Sequence, residues 1–479
     1  MCPWRGSALI RDGSVVSGTA KEVPWALLRL ISPIPSLRTR DLGRGFAHVS
    51  TTSFRDVLAY LYDLQKHGIK FGLSSTANLL ERLGNPHLRL KAVHIAGTNG
   101  KGSTAAMISA VLVRAGYRVG LYTSPHLVRL NERFRIDDQD AGDGEILDIF
   151  RRVRAVVDDR EPPTFFEMTT VMALNLFAEE GVDWVILEVG MGGRLDATNV
   201  VKPQVTVITN ISLEHQEFLG TTLTAIAREK AGIIKPKVPL ITAATQPAAL
   251  AVIKASSARA RAPWYRVGQH LKVRSQGGRS FTYRGLDWRL PDLRTPLAGR
   301  HQLVNAATAL GALELLVRRG DCTLGSDQVR DGLLRTRWPG RLEWLSRRPA
   351  ILLDGAHNPA GAMALRRALL EEFTYDHLIL VLGIMADKDI RAIVATLAPL
   401  AEHIILTRPR YERGAAPEVL LEAAGRLRQR MEVIGTGEAA LARARDLAGP
   451  GDLVLVTGSL YFIGEVKEIS QGQGEAGDA

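Results

Sequence analysis

Cysteine is almost absent from this chain of 479 residues, which contains only Cys2 and Cys322. Two cysteines provide neither a disulfide framework nor a cysteine-based zinc site, and such a composition is typical of a reducing compartment. Long apolar runs are also missing, although a transmembrane helix needs roughly 18 to 20 such residues. The nearest candidate, residues 23–35, is interrupted by Arg29 and three prolines. We therefore expect a cytoplasmic protein with no membrane partner.

Acidic residues are in the minority, because the formal net charge is +11 at pH 7. Residues 1–50 contain seven Lys/Arg and three Asp/Glu, which accounts for four of these charges. The other positive charges are dispersed, and aromatic residues make up only 6% of the chain. A nucleic-acid partner would require a concentrated basic patch, so we expect none. A mildly positive surface favours anionic small molecules instead.

The length leaves room for two or three domains, each with its own core. We predict that residues 1–50 form a disordered N-terminal extension. Their arginine-rich composition superficially resembles a transit peptide, and a start site assigned too early is another explanation. The predicted domains are residues 51–297 and residues 298–470, and residues 471–479 are predicted to be a frayed tail.

The most informative stretch is HIAGTNGKGS, from residue 94 to residue 103. The apolar residues 92–96 predict a buried strand, and residues 103–115 have the apolar spacing of a helix. The glycines between them let the backbone approach a ligand, and the first amides of a helix favour an anion. A glycine turn with a purely structural role is the alternative. The predicted polyphosphate site consists of Thr98, Asn99, Gly100, Lys101, Gly102, Ser103 and Thr104.

Strands and helices alternate along both predicted domains. In addition to residues 92–96, apolar runs predict strands at residues 118–122, 184–190, 205–210, 378–383, 404–407, 431–434 and 453–457. The turn signal at residues 276–279 predicts a hairpin, followed by a linker within residues 292–299. The predicted fold class is α/β. It consists of a P-loop-type, mostly parallel sheet domain with a small β addition, followed by a smaller doubly wound, Rossmann-like domain.

One carboxylate lies near the end of the otherwise apolar strand at residues 184–190. A buried carboxylate without a partner is energetically costly, so we expect a cation beside Glu188. Magnesium on a phosphate chain would supply that charge. Ser124 also follows a predicted strand, at the edge of the sheet where ligands of α/β proteins bind. A Ser-Pro turn without a ligand is the alternative for Ser124.

These separated motifs resemble those of the folate branch of the Mur ligase superfamily, folylpolyglutamate synthase and dihydrofolate synthase. The resemblance covers residues 54–467 and rests on the segments GTNGKGS, TSPHL, GGRLDATN, REKAGI, GRHQLVN and DGAHNP. It implies a two-domain, ATP-dependent amide ligase with ATP in the cleft between the domains. Residues 51–297 would then be the ATP-binding domain, and residues 298–470 would be the ligase domain.

The resemblance also implies roles for individual residues. Besides the loop, the implied ATP-binding residues are Asn305, Arg341, Asp354 and His357. The implied substrate-binding residues are Lys70, Phe71, Gly72, Leu73, Phe166, Glu167, Arg194, Leu195 and Asp196. The implied metal ligands, for two Mg²⁺ sites, are Ser124, Glu188, His215 and Lys230 if it is carbamylated. The implied catalytic residues are Lys101, Lys230, His215 and Glu188.

Most of these roles have a structural alternative. The alternatives are a first-turn acid at Glu167, an ion pair of Arg194 with Asp196, a packed or exposed His215, a solvated Lys230, a helix cap at Asn305 and a hydrogen-bonded pair of Asp354 with His357. Carbamylation would exchange the positive charge of Lys230 for an anionic oxygen ligand. The sequence alone leaves these alternatives open.

The implied reaction couples two carboxylic acids. The carboxylate of dihydropteroate, or of the terminal glutamate of a reduced folate, attacks the γ-phosphate of MgATP, and the α-amine of L-glutamate then displaces phosphate. The expected partners are therefore these small molecules, and the chain is expected to be a monomer. The alternatives are a cell-wall Mur-type amino-acid ligase, a non-catalytic nucleotide-binding module and a nucleic-acid-associated NTPase.

Overall fold

The computed structural model describes residues 53–68, 70 and 72–475. The predictions for residues 1–50, for Phe71 and for the end of the tail at residues 476–479 lie outside these described residues. Within the described part of the chain, no helix has both the length and the apolar character needed to span a bilayer.

The first sheet is the centre of what we call the first lobe. Its strands are β1 (Ala92–Ala96), β2 (Val119–Tyr122), β3 (Phe134–Ile136), β4 (Gln139–Asp140), β5 (Trp184–Glu188), β6 (Val205–Ile208), β7 (Leu240–Thr242) and β8 (Trp264–Arg266). Their order in space is β4-β3-β2-β5-β1-β6-β7-β8. All neighbours from β2 to β8 pair in parallel, whereas β3 and β4 pair antiparallel at the edge. The carboxyl ends of the parallel strands therefore meet at one edge.

Helices cover both faces of this sheet. They are α1 (Phe54–Asp63), α2 (Ser74–Arg82), α3 (Lys101–Arg114), α4 (Asp143–Arg154), α5 (Phe165–Glu179), α6 (Gln216–Leu219), α7 (Leu223–Ala231) and α8 (Pro247–Ala260). Strands β1 and β5 are buried along their whole length, which explains why they are almost continuously apolar. Helix α3 begins at Lys101, two residues before the predicted start.

A small antiparallel sheet follows the first one. It consists of β9 (Lys272–Gly277), β10 (Ser280–Arg284) and β11 (Arg289–Arg294), in the order β11-β10-β9. Gly278 and Arg279 form the turn between β9 and β10, with φ of 53° at Gly278, and this confirms the predicted hairpin. Strand β11 occupies the start of the predicted linker.

Two further helices, α9 (Arg300–Arg318) and α10 (Ser326–Arg335), pack on the first lobe. Leu303, Leu310 and Leu333 from these helices belong to the same buried core as β1 and α3. The predicted boundary between residues 297 and 298 stays a prediction. The predicted second domain would therefore begin with a helix, α9, that packs on α3 and on strands β6 and β7 of the first sheet.

The second sheet is the centre of the second lobe. Its strands are β12 (Glu343–Arg347), β13 (Ala350–Asp354), β14 (Leu378–Leu382), β15 (His403–Leu406), β16 (Met431–Val433) and β17 (Leu453–Thr457). Its helices are α11 (Pro359–Glu372), α12 (Ile390–Leu397), α13 (Pro417–Ala423), α14 (Gly437–Leu447) and α15 (Leu460–Glu475). The strand order β12-β13-β17-β14-β15-β16 is parallel apart from β12. This confirms the predicted α/β class with a mostly parallel first sheet and a second, smaller one.

Candidate active site

A cavity of about 700 Å³ lies between the two lobes, where β1, β5 and β6 of the first lobe and β13 of the second lobe end. This volume is in the usual range of small-molecule sites. All the predicted site residues that the structure describes line the cavity, except Leu73, Thr104 and Arg194. Residues that are far apart in sequence therefore meet in one space, and they include Ser124 and Glu188, for which the strand-end argument predicted it.

The three exceptions have other surroundings. Thr104 is fully buried inside α3, and Leu73 is the residue before α2. Arg194 forms an ion pair with Glu229, with 3.0 Å between Nη2 and Oε1, and not with Asp196. The binding roles of these three residues stay predictions, and the cavity gives them no support.

The loop before α3 has the form of an anion site. Gly100 precedes the helix in a left-handed conformation, with φ of 83°, and no described side chain caps the first amides. The backbone N–H of Asn99 donates to Oδ1 of Asn210 at 2.8 Å, which fixes the loop against the exit of β6. Nζ of Lys101 donates to the carbonyl of Thr98 at 3.2 Å. Free amides and an ammonium group at the start of a helix suit a phosphate group.

The glycines of this loop are also required by the surrounding protein. A Cβ on Gly97 would lie 1.8 Å from Oγ1 of Thr209, and one on Gly100 would lie 2.4 Å from Oδ1 of Asn305. We expected the glycines mainly to admit a ligand. The structure adds a second reason, because the loop packs directly against neighbouring side chains.

Glu188 is a buried carboxylate with few donors. It is 5% exposed, and its Oε2 accepts a hydrogen bond from the N–H of Ser124 at 3.2 Å. Nζ of Lys101 is 4.0 Å from its Oε1. Burial raises the pKa of Glu188, whereas Lys101 and the Ser124 amide act in the opposite direction. A carboxylate with spare lone pairs in this setting suits a cation.

The donor set fits a divalent cation only in part. The described residues contain no group of three or more His, Cys, Asp or Glu side chains arranged to hold a metal. A metal beside Glu188 would therefore complete its coordination with the hydroxyl of Ser124, phosphate oxygens or water, as is common for Mg²⁺.

His215 and Lys230 lie on the cavity wall near Lys101. Burial lowers the pKa of His215 to about 4, and the charges of Lys388, Lys101 and Lys230 act in the same direction, whereas Glu214 opposes them. The imidazole of His215 is therefore neutral near pH 7. Lys230 is 3% exposed and donates from Nζ to the carbonyl of Gly97 at 2.8 Å. Burial and the charge of Lys101 lower the pKa of Lys230 to about 7. Lys230 is therefore not the solvated lysine of the structural alternative.

Another wall of the cavity is formed by the start of α5. A Cβ on Gly190 would lie 2.5 Å from Cζ of Phe166, so the tip of this ring packs against the chain after β5. Glu167 forms a capping box with Thr164, in which Oε2 accepts from the Thr164 N–H at 2.7 Å. Glu167 thus has the structural role of a first-turn acid and also faces the cavity.

A bridge between the lobes was not predicted. Nδ2 of Asn99 donates to Oδ1 of Asn358 at 3.0 Å, and Nδ2 of Asn358 donates back to Oδ1 of Asn99 at 2.9 Å. Nδ2 of Asn358 and Nε2 of His357 each lie 3.1 Å from Oε1 of Glu214. We call these four residues the interlobe bridge.

Asp354 and His357 do not form the hydrogen-bonded pair of the structural alternative. They have separate partners, because Asp354 accepts from the amides of residues 342 and 356.

The sequence contained a local signal for one end of this bridge. Asn358 before Pro359 is a typical helix start, and its Oδ1 indeed accepts from the N–H of Gly361 at 2.8 Å. Its partner Asn99 is 259 residues away in sequence, so no local pattern could identify the pair.

Two cationic residues of the second lobe were also missed. Lys388 has a side chain that is only 13% exposed and lies 3.0 Å from Oδ2 of Asp387. Arg413 lines the same end of the cavity. No sequence pattern distinguishes these residues from surface charges.

Comparisons with known proteins agree with this architecture. Residues 95–313 match the Mur ligase middle domain, and residues 340–460 match the Mur ligase glutamate ligase domain. The dihydrofolate synthase/folylpolyglutamate synthase of Bacillus subtilis is 35% identical over 432 residues, which cover 87% of this chain and 99% of that protein. The chain belongs to this family within the Mur ligase superfamily.

Solved structures of the dihydrofolate synthase/folylpolyglutamate synthase family have the same fold. Escherichia coli FolC in complex with DHPP and ADP superposes with a TM-score of 0.81 and 32% identity, covering 88% of this chain and 98% of that one. A bifunctional folylpolyglutamate synthase/dihydrofolate synthase with Mn, AMPPNP and L-glutamate bound has a TM-score of 0.79 and 33% identity, covering 87% and 98%. The two lobes and their connections are therefore those of the family.

Proposed function

We propose that this chain is an ATP-dependent ligase that adds L-glutamate to dihydropteroate, to reduced folates, or to both. The observation that carries the proposal is the single cavity in which Lys101 and Glu188 of the first lobe face Arg341 and His357 of the second lobe. Membership of the dihydrofolate synthase/folylpolyglutamate synthase family supports the same reaction, because relatives are described with ADP, DHPP and L-glutamate.

The first chemical step forms an acyl phosphate. A carboxylate oxygen of the pterin substrate attacks the γ-phosphorus of ATP, the bond from that phosphorus to the bridging oxygen breaks, and ADP leaves. Two anions approach one another in this step, so the site must neutralise charge. The ammonium group of Lys101 and the free amides at the start of α3 are suited to this task, since residues 100–103 line the cavity.

The second step forms the amide. The neutral α-amine of L-glutamate attacks the acyl carbon, the carbon–oxygen bond to phosphate breaks, and the amine loses a proton. L-Glutamate has two carboxylates, and Lys388 and Arg413 are cations at the second-lobe end of the cavity. We infer that these two residues bind the incoming amino acid.

The finer cofactor proposals are two divalent-cation sites and a carbamate on Lys230. Ser124 and Glu188 would hold one ion, and the neutral imidazole of His215 with a carbamylated Lys230 would hold the second. The ions would supply positive charge beside the phosphate oxygens. A pKa of about 7 supports the modification, because carbon dioxide reacts with the neutral amine and not with the ammonium form.

The remaining candidate is a cell-wall Mur-type amino-acid ligase, which shares the superfamily and the chemistry. The relatives favour the folate reaction, since the Bacillus subtilis protein is matched over 99% of its length. A monomeric state and the lack of a nucleic-acid partner stay predictions.

The test is an assay with ATP, Mg²⁺ and L-glutamate in the presence of dihydropteroate, tetrahydrofolate or a UDP-muramoyl substrate. We expect glutamate-dependent release of phosphate with one or both pterin substrates, and mass spectrometry should resolve products that differ by whole glutamate residues. Activity with only the UDP-muramoyl substrate would support the alternative, and no ADP formation with any acid would contradict both.

Lys101→Ala should abolish glutamate-dependent phosphate release, with a loss of about 100- to 1,000-fold or more. The side chain of Lys101, at the first position of α3, extends into the cavity, so the thermal unfolding midpoint should change little. A variant that retains turnover would remove this loop from the proposed mechanism.

A further inference from the structure

A buried chain of hydrogen bonds lies behind Asp196 on the wall of the cavity. Oγ1 of Thr198 donates to Oδ1 of Asp196, and the backbone N–H of Thr198 donates to the same oxygen at 3.0 Å. Nε2 of His94, on β1, lies 2.8 Å from Oγ1 of Thr198. His94 and Thr198 are both completely buried, whereas Asp196 is 7% exposed and lines the cavity.

The direction of these hydrogen bonds follows from the number of protons. A threonine hydroxyl has one proton, and here that proton is donated to the Asp196 carboxylate. The same hydroxyl must then accept from His94, so Nε2 of His94 carries the hydrogen. Burial lowers the pKa of His94 to about 3, and the ring is neutral with an unprotonated Nδ1. No described protein group donates to that Nδ1.

These hydrogen bonds determine how Asp196 is presented to a ligand. Oδ1 already accepts two hydrogen bonds, both from Thr198. Oδ2 accepts from the N–H of Met191 at 2.9 Å, and the N–H of Gly190 also stabilises the charge of the carboxylate. Asp196 lines the cavity, where this side chain can accept from a ligand. All these partners donate, so they stabilise the ionised carboxylate. The other titratable groups that interact with this cluster are Lys230, Lys235 and Tyr122.

We propose that His94 and Thr198 are positioning residues for substrate recognition: they keep Asp196 ionised and turned so that Oδ2 accepts from an N–H group of a bicyclic amino-pterin. This inference rests on the proposed function, because it takes the pterin as the ligand next to Asp196. Neither His94 nor Thr198 lines the cavity, so the two residues act through the carboxylate.

A purely structural explanation exists and predicts different results. Asp196 also caps the short 3-10 helix Ala197–Val200, so Thr198 contributes to local folding. If the hydrogen bonds from His94 and Thr198 were only structural, their loss would lower the stability of the protein and change the KM of all three substrates equally. If they position Asp196, their loss affects the pterin substrate and the acidity of the carboxylate.

The experiment compares Thr198→Val, Thr198→Ser, His94→Leu and His94→Gln in the full chain, with KM measured separately for the pterin substrate, ATP and L-glutamate. We expect Thr198→Val to raise KM for the pterin substrate about tenfold, as the loss of a hydrogen bond to a charged group does. His94→Leu should raise it a few-fold. Thr198→Ser and His94→Gln keep a hydroxyl and an N–H donor, and should restore most of the affinity.

The pH profile separates positioning from folding. Burial raises the pKa of Asp196, and the hydrogen bonds from Thr198 and Met191 oppose that rise. Removal of the Thr198 hydroxyl should therefore move the acidic limb of kcat/KM for the pterin substrate to higher pH. The matched control is Thr308→Val, which removes another buried hydroxyl, on α9, that donates only to the carbonyl of Val304.

The outcomes are distinguishable from failure of the proposed function. If the wild-type chain does not glutamylate a pterin acid, the proposed function itself fails. If the wild-type chain is active and Thr198→Val changes all three KM values equally, or leaves the pterin KM and the acidic limb unchanged, the positioning role is wrong.

Discussion

Two buried glutamates at the same edge of the first sheet have opposite surroundings. Glu188, at the end of β5, accepts from one backbone N–H and has Lys101 at 4.0 Å, and burial raises its pKa. Glu214, in the loop after β6, accepts from Asn358 and lies 3.1 Å from Nε2 of His357. Burial alone would raise the pKa of Glu214, but the contact with His357 holds it well below its usual range.

The difference separates two uses of a buried carboxylate. Glu214 is satisfied by groups of the second lobe, so it contributes to the contact between the lobes. Glu188 lacks such partners and is therefore suited to a cation that arrives with the nucleotide. Burial and residue type are the same for both, and only the partners distinguish a structural carboxylate from a binding one.

The largest expected effect is on activity. Glu188→Gln should lower glutamate-dependent phosphate release about 100- to 1,000-fold, because the cation loses its anionic partner. Without nucleotide, its unfolding midpoint should be unchanged or higher, since the charge at Glu188 is unfavourable in the folded protein. Kinetics and differential scanning fluorimetry measure the two effects.

The matched variant Glu214→Gln should behave in the opposite way. It loses a charge-assisted contact with His357, so its unfolding midpoint should fall by several degrees, with a smaller loss of activity. The stabilising effect of Glu214 is present above the unfolded pKa and is lost as pH falls through the lower folded pKa, so the difference from wild type should shrink in acid. Equal effects of the two variants would contradict the distinction between them.

An intermediate effect is expected from the interlobe bridge. Asn358→Ser keeps an oxygen for the N–H of Gly361 and removes the contacts with Asn99 and Glu214. We expect KM for ATP to rise about three- to tenfold, since Asn99 belongs to the phosphate loop.

A double-mutant cycle tests whether this effect passes through Asn99. Asn99→Ser and Asn358→Ser should each weaken ATP binding, and the double variant should be little worse than either one. Strictly additive effects would mean that the two amides act independently.

The smallest expected effect concerns Lys230 in the protein without nucleotide or added bicarbonate. Its folded pKa of about 7 is below the ordinary value of 10.5, so the unfolded chain binds more protons between these pH values. Stability of the wild type should therefore rise with pH across this window. Lys230→Met has no ammonium group to bury and therefore lacks this destabilisation. Its unfolding midpoint should exceed that of the wild type by a few degrees near about pH 6 and by less near about pH 9.5. A gain that is independent of pH would be evidence against the buried ammonium.

The sequence predicted most of the elements because their signals are local. Residues 92–96 are apolar without interruption, as a strand covered on both faces must be, and β1 has these bounds. The glycine pair at residues 277 and 278 predicted the turn of the β9–β10 hairpin. The start of α3 was predicted two residues late, since Lys101 and Gly102 contribute no apolar periodicity.

The packing of α9 and the surroundings of individual side chains could not be predicted in the same way. The sequence of α9 does not reveal which sheet the helix covers. The ion pair of Arg194 with Glu229 replaced the alternative with Asp196, because α7 brings an acid from 35 residues away. Such contacts depend on the path of the whole chain.

By itself, the sequence determined the α/β class, the family and the group of residues that meet at the strand ends. The class follows from periodicity and turn chemistry, and the family follows from the resemblance of the separated motifs. The meeting of the strand-end residues follows from the rule that parallel strands end at a common edge. The tertiary structure alone decided which carboxylate is satisfied, which amides join the lobes and how Thr198 and His94 support Asp196. Those properties depend on distances of a few ångströms between residues that are remote in sequence, and burial then sets their charge.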